Sequence, residues 1–345
     1  VKILHIAYEN SHWRQARSTS FPVQLGLREA LRSRGHEVLT LTSQYARRAP
    51  ELLRGKHFDQ VWFDLVMLGG DELGQSWIEF ISKLAPVRLG LMAESLEYEP
   101  AALQAVPALV DFKPRALQRL PYLTHVLAGD EKDVATLQSQ GLPTLWWVCS
   151  VPRRLAAAQA ASGPGPIRFF GDPYGARQLW LEDPKLVTRM SRQPSTEAGT
   201  HFPSTFDSLQ TVIRLFTKLR LPGYGIIRPP YIEALSRLRQ WAYARWLTAM
   251  RRSGAVISLP SHYGAYPGRV SEAMASGRPC LAWDIPDRPR NRALFEEGRE
   301  ILRFSDPEEL ANRIDQIVSD PVMAKAIAER ALRKLVAYHT TERRV

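Results

Sequence analysis

A chain of 345 residues is too long for one ordinary hydrophobic core and suits two domains. Hydrophobic residues at 45% and charged residues at 23% exclude extensive disorder. The 46 Lys and Arg against 35 Asp and Glu leave +11, dispersed through "REALRSR", "YARRAPELLRGK" and "RLRQWAYARWLTAMRR". That excess suits solvated helix faces, or a polyanionic partner such as DNA or an anionic surface.

The first half alternates apolar runs with amphipathic ones. "VKILHIAY" is followed by "PVQLGLREALRSRG", "HEVLTLTS", "FDQVWFDLVML", "SWIEFISKLA", "VRLGLMAES", "THVLAGD", "DVATLQSQG" and "PTLWWVCS". Nearly continuous apolar strands between helices predict a parallel sheet covered on both faces. From 151 to 166, "VPRRLAAAQAASGPGP" loses strand character and reads as a hinge. Past it, "IRFFGD" opens a second unit. The stretch 183–232 shows no usable period, and its topology stays unassigned. Order returns with the amphipathic "YIEALSRLRQWAYARWLTAMRRSG", the strand-like "AVISLP", "RPCLAWDIP" and "EILRF", and the helical "DPEELANRIDQIVSD" and "PVMAKAIAERALRKLVAYHTTERRV". The boundaries expected are 1–150, 151–166, 167–325 and 326–345.

No run approaches the roughly 18 apolar residues of a membrane span, and the opening run reads as a strand rather than a secretory signal. Cys149 and Cys280 stand far apart with no Cys or His at metal-ligand spacing, so they read as buried free thiols and point to a cytoplasmic location.

The chemistry concentrates in "AVISLPSHYGAYPGRVSEAMASGRP", where a strand passes through a glycine-broken aromatic loop into a helix. Ligands bind at such strand ends in α/β sheets. Gly264 and Gly268 let backbone approach a ligand, while the helix N-terminus favours phosphate. Arg269 can add a bidentate contact to the same anion. Glu272, one turn in, can accept from sugar hydroxyls. With Tyr266 and Pro267 in the loop, the group reads as a nucleotide or nucleotide-sugar pocket. Simple turn and helix-dipole roles account for Gly264, Gly268 and Glu272 equally well on spacing alone.

"GRVSEAMASGRPCLAWDIP", "LFEEGREILRFSDPEELANRIDQIVSD" and "IAERALRKLVAYHTTERR" together resemble the C-terminal domain of CgeB-like (spore-maturation type) glycosyltransferases of the GT-B superfamily, with a GT4-like donor domain. The shared features are an Arg-x-x-Glu helix start, a small-residue turn, a Phe-x-x-Gly-x-Glu segment and a terminal His-Thr. "RFFGDPYGAR" resembles the family's first donor-domain strand, with Gly171 beside it and Arg177 at a donor-phosphate position, and "REALRSRGHEVLTL" resembles the first helix and second strand of the acceptor domain. The resemblance implies two Rossmann-like parallel-sheet domains facing a cleft, with the C-terminal helix returning to the first. It implies a nucleotide-sugar donor, no metal and no other cofactor; no Asp-x-Asp occurs in the sequence. One departure stands out. Retaining members often carry two glutamates eight positions apart, and here Gly264 occupies the first position and Glu272 the second.

On the acceptor side, candidate cleft residues follow strands: Glu9, Asn10, His12 and Arg14, then Glu94 and Ser95, then Asp130. His12 or Glu94 can take the acceptor's proton or hold the donor sugar, beside Arg177 on the departing phosphate; for each acceptor-side residue alone, an ordinary loop role is the stronger reading. The expected activity is transfer of a sugar, with retention, to a hydroxyl such as that of a hydroxylated DNA base, making DNA modification one function class. Glycan, protein and lipid acceptors stay open. So do a non-catalytic nucleotide- or nucleic-acid-binding protein of the same fold and a sugar-nucleotide epimerase.

Overall fold

The computed structural model describes residues 1–7, 25–42, 49–65, 75–98, 100–105, 107–161, 163–194, 211–213, 215–216, 218–262 and 264–345. The N-terminal unit runs β1 (Lys2–Ala7), α1 (Leu27–Ser33), β2 (Glu37–Thr42), α2 (Ala49–Leu53), β3 (Gln60–Asp64), α3 (Gln75–Ser82), β4 (Val87–Met92), α4 (Pro100–Ala105), α5 (Phe112–Arg119), β5 (His125–Ala128), α6 (Glu131–Ser139) and β6 (Thr144–Trp146). Its six strands pair in the order β2-β1-β3-β4-β5-β6, and every pairing is parallel. Successive side chains of a strand enter opposite layers: Leu4 and Ile6 pack with Val61 and Phe63, while Ile3 packs with Val38, Trp62 and Leu91. Burial on both faces is why these strands read as continuous apolar runs.

The C-terminal unit runs β7 (Ile167–Phe170), α7 (Ala176–Glu182), β8 (Ser191–Gln193), α8 (Tyr224–Arg251), β9 (Ala255–Ser258), α9 (Gly268–Ala275), β10 (Cys280–Trp283), α10 (Pro289–Leu294), β11 (Leu302–Phe304), α11 (Pro307–Ser319), α12 (Pro321–Tyr338) and α13 (Thr341–Arg344). Its parallel order is β11-β10-β9-β7-β8. Phe170, Val256 and Cys280 face one layer, and Phe169, Ile257 and Leu281 the other. The two late helices start where the sequence places Asp-Pro: Asp306 accepts from Glu309 N at 2.8 Å and Asp320 from Met323 N at 2.9 Å, with Pro at the first helical position. The boundary expected at 326 falls inside α12.

Three segments join the units. The first is α8, which begins at Tyr224, within the stretch whose period was unreadable, and runs through Pro229 and Pro230. Its first half meets the N-terminal unit, with Arg28 bonded to Glu233, Ser236 Oγ donating to Glu29 at 2.6 Å, and Arg228 donating to Thr40 O. Its second half puts Tyr243, Trp246 and Met250 into the second core. The hinge is the second: Ala157 N and Ala161 N donate to Ala275 O and Gly277 O, at 2.7 and 2.9 Å. Gly277 ends α9 at φ 74°, a left-handed conformation that favours glycine. The third is the C-terminus, which returns to the first unit. Val151 pairs with Thr340, Arg34 Nη2 donates to Glu342 O at 2.9 Å, and Val345 packs with Ile3, Leu27 and Leu31. Among the described residues no helix is long and apolar enough to cross a membrane. Burial pushes both thiols, Cys149 and Cys280, up to about 12.

Two histidines make the fold acid-sensitive. Burial lowers His5, in the middle of β1, and His339, at the end of α12, to about 4. Both ring nitrogens of His5 lack a hydrogen-bond partner among the described residues. Between pH 6.5 and 4 the unfolded chain therefore binds more protons than the native one. The stabilisation is present above pH 6.5 and is lost as pH falls through 4. We expect His5→Leu to remove up to about 3 kcal/mol of that acid loss while leaving stability at pH 8 nearly unchanged. Urea titrations at pH 8 and pH 4.5 check this, and equal acid loss in both proteins would reject it.

Candidate active site

In the second sheet the chain leaves β7 toward β8 and returns on the other side as β9, so β7 and β9 flank the topological switch point. The loops after these strands, Gly171–Gly175 and Leu259–Pro267, sit there. Opposite them stand the loops after β4 and β5. Ser95 Oγ accepts from Gly264 N at 3.0 Å, and Glu94 Oε2 lies 3.3 Å from His262 Nε2. The carboxyl ends of the two sheets thus meet across one cleft.

On the C-terminal side, α9 opens with Gly268 after Pro267, which supplies no side-chain cap. Val270 N donates to Pro267 O at 3.0 Å, and no side chain caps the N–H groups ahead of it. Arg269 Nη1 donates to Glu272 Oε2 at 2.6 Å, and its guanidinium lies 4.6 Å from the ring centre of Trp246. Trp246 Nε1 donates to the same Glu272 oxygen at 3.1 Å. Glu272 is 3% exposed, so its carboxylate aims Arg269 from below. Burial and this carboxylate raise the Tyr243 hydroxyl well above its ordinary pKa. Gly171 borders the guanidinium: a Cβ there would lie 3.6 Å from Arg269 Nη2. Arg177, in the first turn of α7, donates to Pro260 O at 2.8 Å and stacks 4.1 Å from the centre of the Tyr174 ring. Arg177 therefore ties the two loops together, and Arg269 borders the first of them.

Two clusters close the cleft. In one, His262 stands between Tyr98 and Tyr174, at centroid separations of 5.8 and 5.1 Å. Tyr98 donates to Glu94 Oε2 at 3.1 Å; burial, then the Glu94 charge, raises its pKa. In the other, Arg288 forks onto Asp130, Nε to Oδ1 at 2.6 Å and Nη2 to Oδ2 at 2.9 Å. Asp130 also accepts from Ser95 Oγ at 2.8 Å and from Lys132 N at 3.0 Å. Nearby Asp133 is pushed up to about 7 by burial, with the Asp130 charge adding, although it accepts from Leu96 N. A Cβ at Gly264 would fall inside contact distance of both Arg288 Nη2 and Asp130 Oδ2.

The fold thus brings together Gly171, Arg177, Gly264, Pro267, Gly268, Arg269, Glu272, Glu94, Ser95 and Asp130. Tyr266 turns into the second core, 5% exposed, with its hydroxyl accepting from Arg303 Nε at 2.9 Å. Glu9, Asn10, His12 and Arg14 lie outside the described residues. Among the described residues no cluster of three or more His, Cys, Asp or Glu could hold a metal ion. Sequence reasoning missed His262, Tyr174, Tyr98 and Arg288. His262 was legible as the polar residue of the glycine-broken loop, whereas Arg288, in "DIPDRPR", gave no signal of its partner 158 positions earlier.

Residues 208–345 match the glycosyl transferase-like family. The chain has a GT-B fold, and its C-terminal part is similar to that family. Sucrose-phosphate synthase (tll1590) from Thermosynechococcus elongatus superposes with a TM-score of 0.57 at 12% identity, covering 99% of this chain and 95% of that one. Alr3699/HepE from Anabaena, in complex with UDP and glucose, superposes with a TM-score of 0.52 at 12% identity, covering 99% and 96%. No curated protein sequence matches the chain. Within the part that matches, residues 208–345, lie α9 and the loop that follows β9.

Proposed function

We propose that the chain moves a sugar from a uridine-type nucleoside diphosphate sugar, with retention, to a hydroxyl acceptor, as a GT-B enzyme of the spore-maturation type. The observation that carries this reading is the convergence of Arg269, Arg177 and the uncapped start of α9 on the two loops of the β7–β9 switch point. The UDP and glucose bound by HepE, a protein of the same fold, support the donor class. The Arg269-x-x-Glu272 helix start supports the subfamily, and retention rests on Glu272 alone of the glutamate pair, with Gly264 at the first position.

In the reaction the bond from the sugar's anomeric carbon to the diphosphate breaks, the acceptor oxygen bonds to that carbon, and the acceptor loses a proton. Arg269, Arg177 and the α9 N–H groups stabilise the charge that builds on the departing diphosphate, so the chemistry calls for no metal. Glu94 and His262, paired across the cleft, receive the proton. The net charge of +11 favours an acceptor on an anionic carrier, a hydroxylated base in DNA among them.

A thermal-shift series with UDP, GDP, ADP, CMP and TDP sugars tests the donor site, because a ligand of the native state raises the melting midpoint. A rise with uridine sugars alone is expected, and no rise with any of them removes the proposal. Glu94→Gln and His262→Asn should each lower kcat by about 10²–10⁴-fold while keeping the donor-induced shift. Unchanged turnover would exclude the pair from proton transfer. A shift without donor hydrolysis or transfer in the wild type would identify a binding protein.

A further inference from the structure

A second concave site lies away from the cleft. It is a groove of about 830 Å³ between the docked hinge and the outer face of α12. Methyl groups of Ala156, Ala158 and Val336 line it together with Gln159, Glu329 and four cationic side chains. Along α12 the residues Val322, Lys325, Glu329, Arg333 and Val336 recur at steps of three and four, one amphipathic stripe beside the groove.

Three of the cations come from different elements. Arg153 N donates to the Glu342 carboxylate at 3.0 Å, so the chain at Arg153 lies next to α13, which carries Arg343, and Arg333 lines the same groove from α12. The side chains of Arg153, Arg333 and Arg343 are exposed, and none of the three is paired among the described residues, whereas Lys325 faces Glu329 at 3.8 Å. Three guanidinium groups with no partner among the described residues, lining one groove beside alanine methyls, select a ligand with an anionic head. Base stacking finds no aromatic ring in the groove lining. Val322 at 80% exposure and Tyr338 at 67% add exposed apolar surface at the two ends of α12, whose main apolar face is buried in the core.

We propose that the hinge–α12 groove is a docking site for an anionic phospholipid surface, with Arg153, Arg333 and Arg343 on the headgroup phosphates. Each such cation contributes about a fivefold factor near an anionic bilayer, so the three together contribute about 100-fold. The inference rests on charge and groove chemistry and stands apart from the transferase reading.

Co-sedimentation of the full chain with phosphatidylglycerol-containing vesicles and with pure phosphatidylcholine vesicles, at low and high salt, tests it. We expect binding to the anionic vesicles alone, weakened by salt, and about 100-fold weaker in the triple variant Arg153→Ala/Arg333→Ala/Arg343→Ala. Ala158→Glu, which puts a carboxylate in the groove at an exposed position, should weaken binding at least tenfold. An unchanged melting midpoint and an unchanged response to UDP-glucose show that both variants keep the fold and the cleft. Failure to bind anionic vesicles, equal binding to both vesicle types, or full binding by the triple variant overturns the proposal. So does arginine-dependent binding of duplex DNA without vesicle binding, which would give the groove to nucleic acid.

Discussion

Arg269→Ala should lower turnover by about 100- to 1,000-fold, the loss typical of removing one donor from a site where negative charge develops. The same substitution should destabilise the chain by about 3–5 kcal/mol, because it leaves a buried carboxylate without its cation. Glu272 is 3% exposed, and once Arg269 is gone it keeps Trp246 Nε1 at 3.1 Å. Glu272→Ala should also cost activity, since it frees the arginine from the geometry imposed by the 2.6 Å bond and the Trp246 face. The double variant Arg269→Ala/Glu272→Ala should lose less stability than the sum of the two singles, by about 1–3 kcal/mol. Chemical denaturation of the four proteins, with initial rates on each, measures both effects. Additive losses with full activity would mean that the pair is a helix ornament.

Gly264→Glu should be the most disruptive single change in the cleft. Any side chain at 264 meets Arg288 Nη2 and Asp130 Oδ2, so it must break a forked ion pair whose Asp130 is 3% exposed. A loss of about 3–5 kcal/mol is expected, as for other broken buried pairs. The pair joins the two units, so small-angle scattering should show a larger radius of gyration for Gly264→Glu and for Arg288→Ala alike. A melting midpoint equal to wild type in Gly264→Glu would show that the loop accommodates the side chain. Glycine at this position therefore has a steric cause: the space a side chain would take is held by an arginine of one unit and an aspartate of the other.

The sheets were legible because burial on both faces makes their strands continuous apolar runs, and the Asp-Pro starts of α11 and α12 were legible as caps. The region before Tyr231 was not. There α8 passes through Pro229 and Pro230, which remove two N–H groups from the ladder, and its early turns pack on the other unit, so no single apolar stripe marks it. At the candidate site, local spacing located the glycine-broken loop and the Arg-x-x-Glu helix start without separating a ligand role from turn and helix-dipole roles. Arg288 with Asp130 and His262 with Glu94 did not, because each partnership forms only when two separately folded sheets meet. Glu272 reads in sequence as a hydroxyl acceptor, and in the fold its Oε2 is held by Arg269 and by Trp246, a partner on another helix that local spacing does not reveal.

Titration calorimetry of UDP-glucose into the wild type and into Arg269→Ala bears most directly on the central claim, that the β7–β9 switch point is a nucleotide-sugar site. Saturable binding to the wild type, with an affinity at least tenfold weaker in the variant, is the result predicted. Equal affinity in the two proteins, or no binding of any nucleoside diphosphate sugar to the wild type, would contradict it.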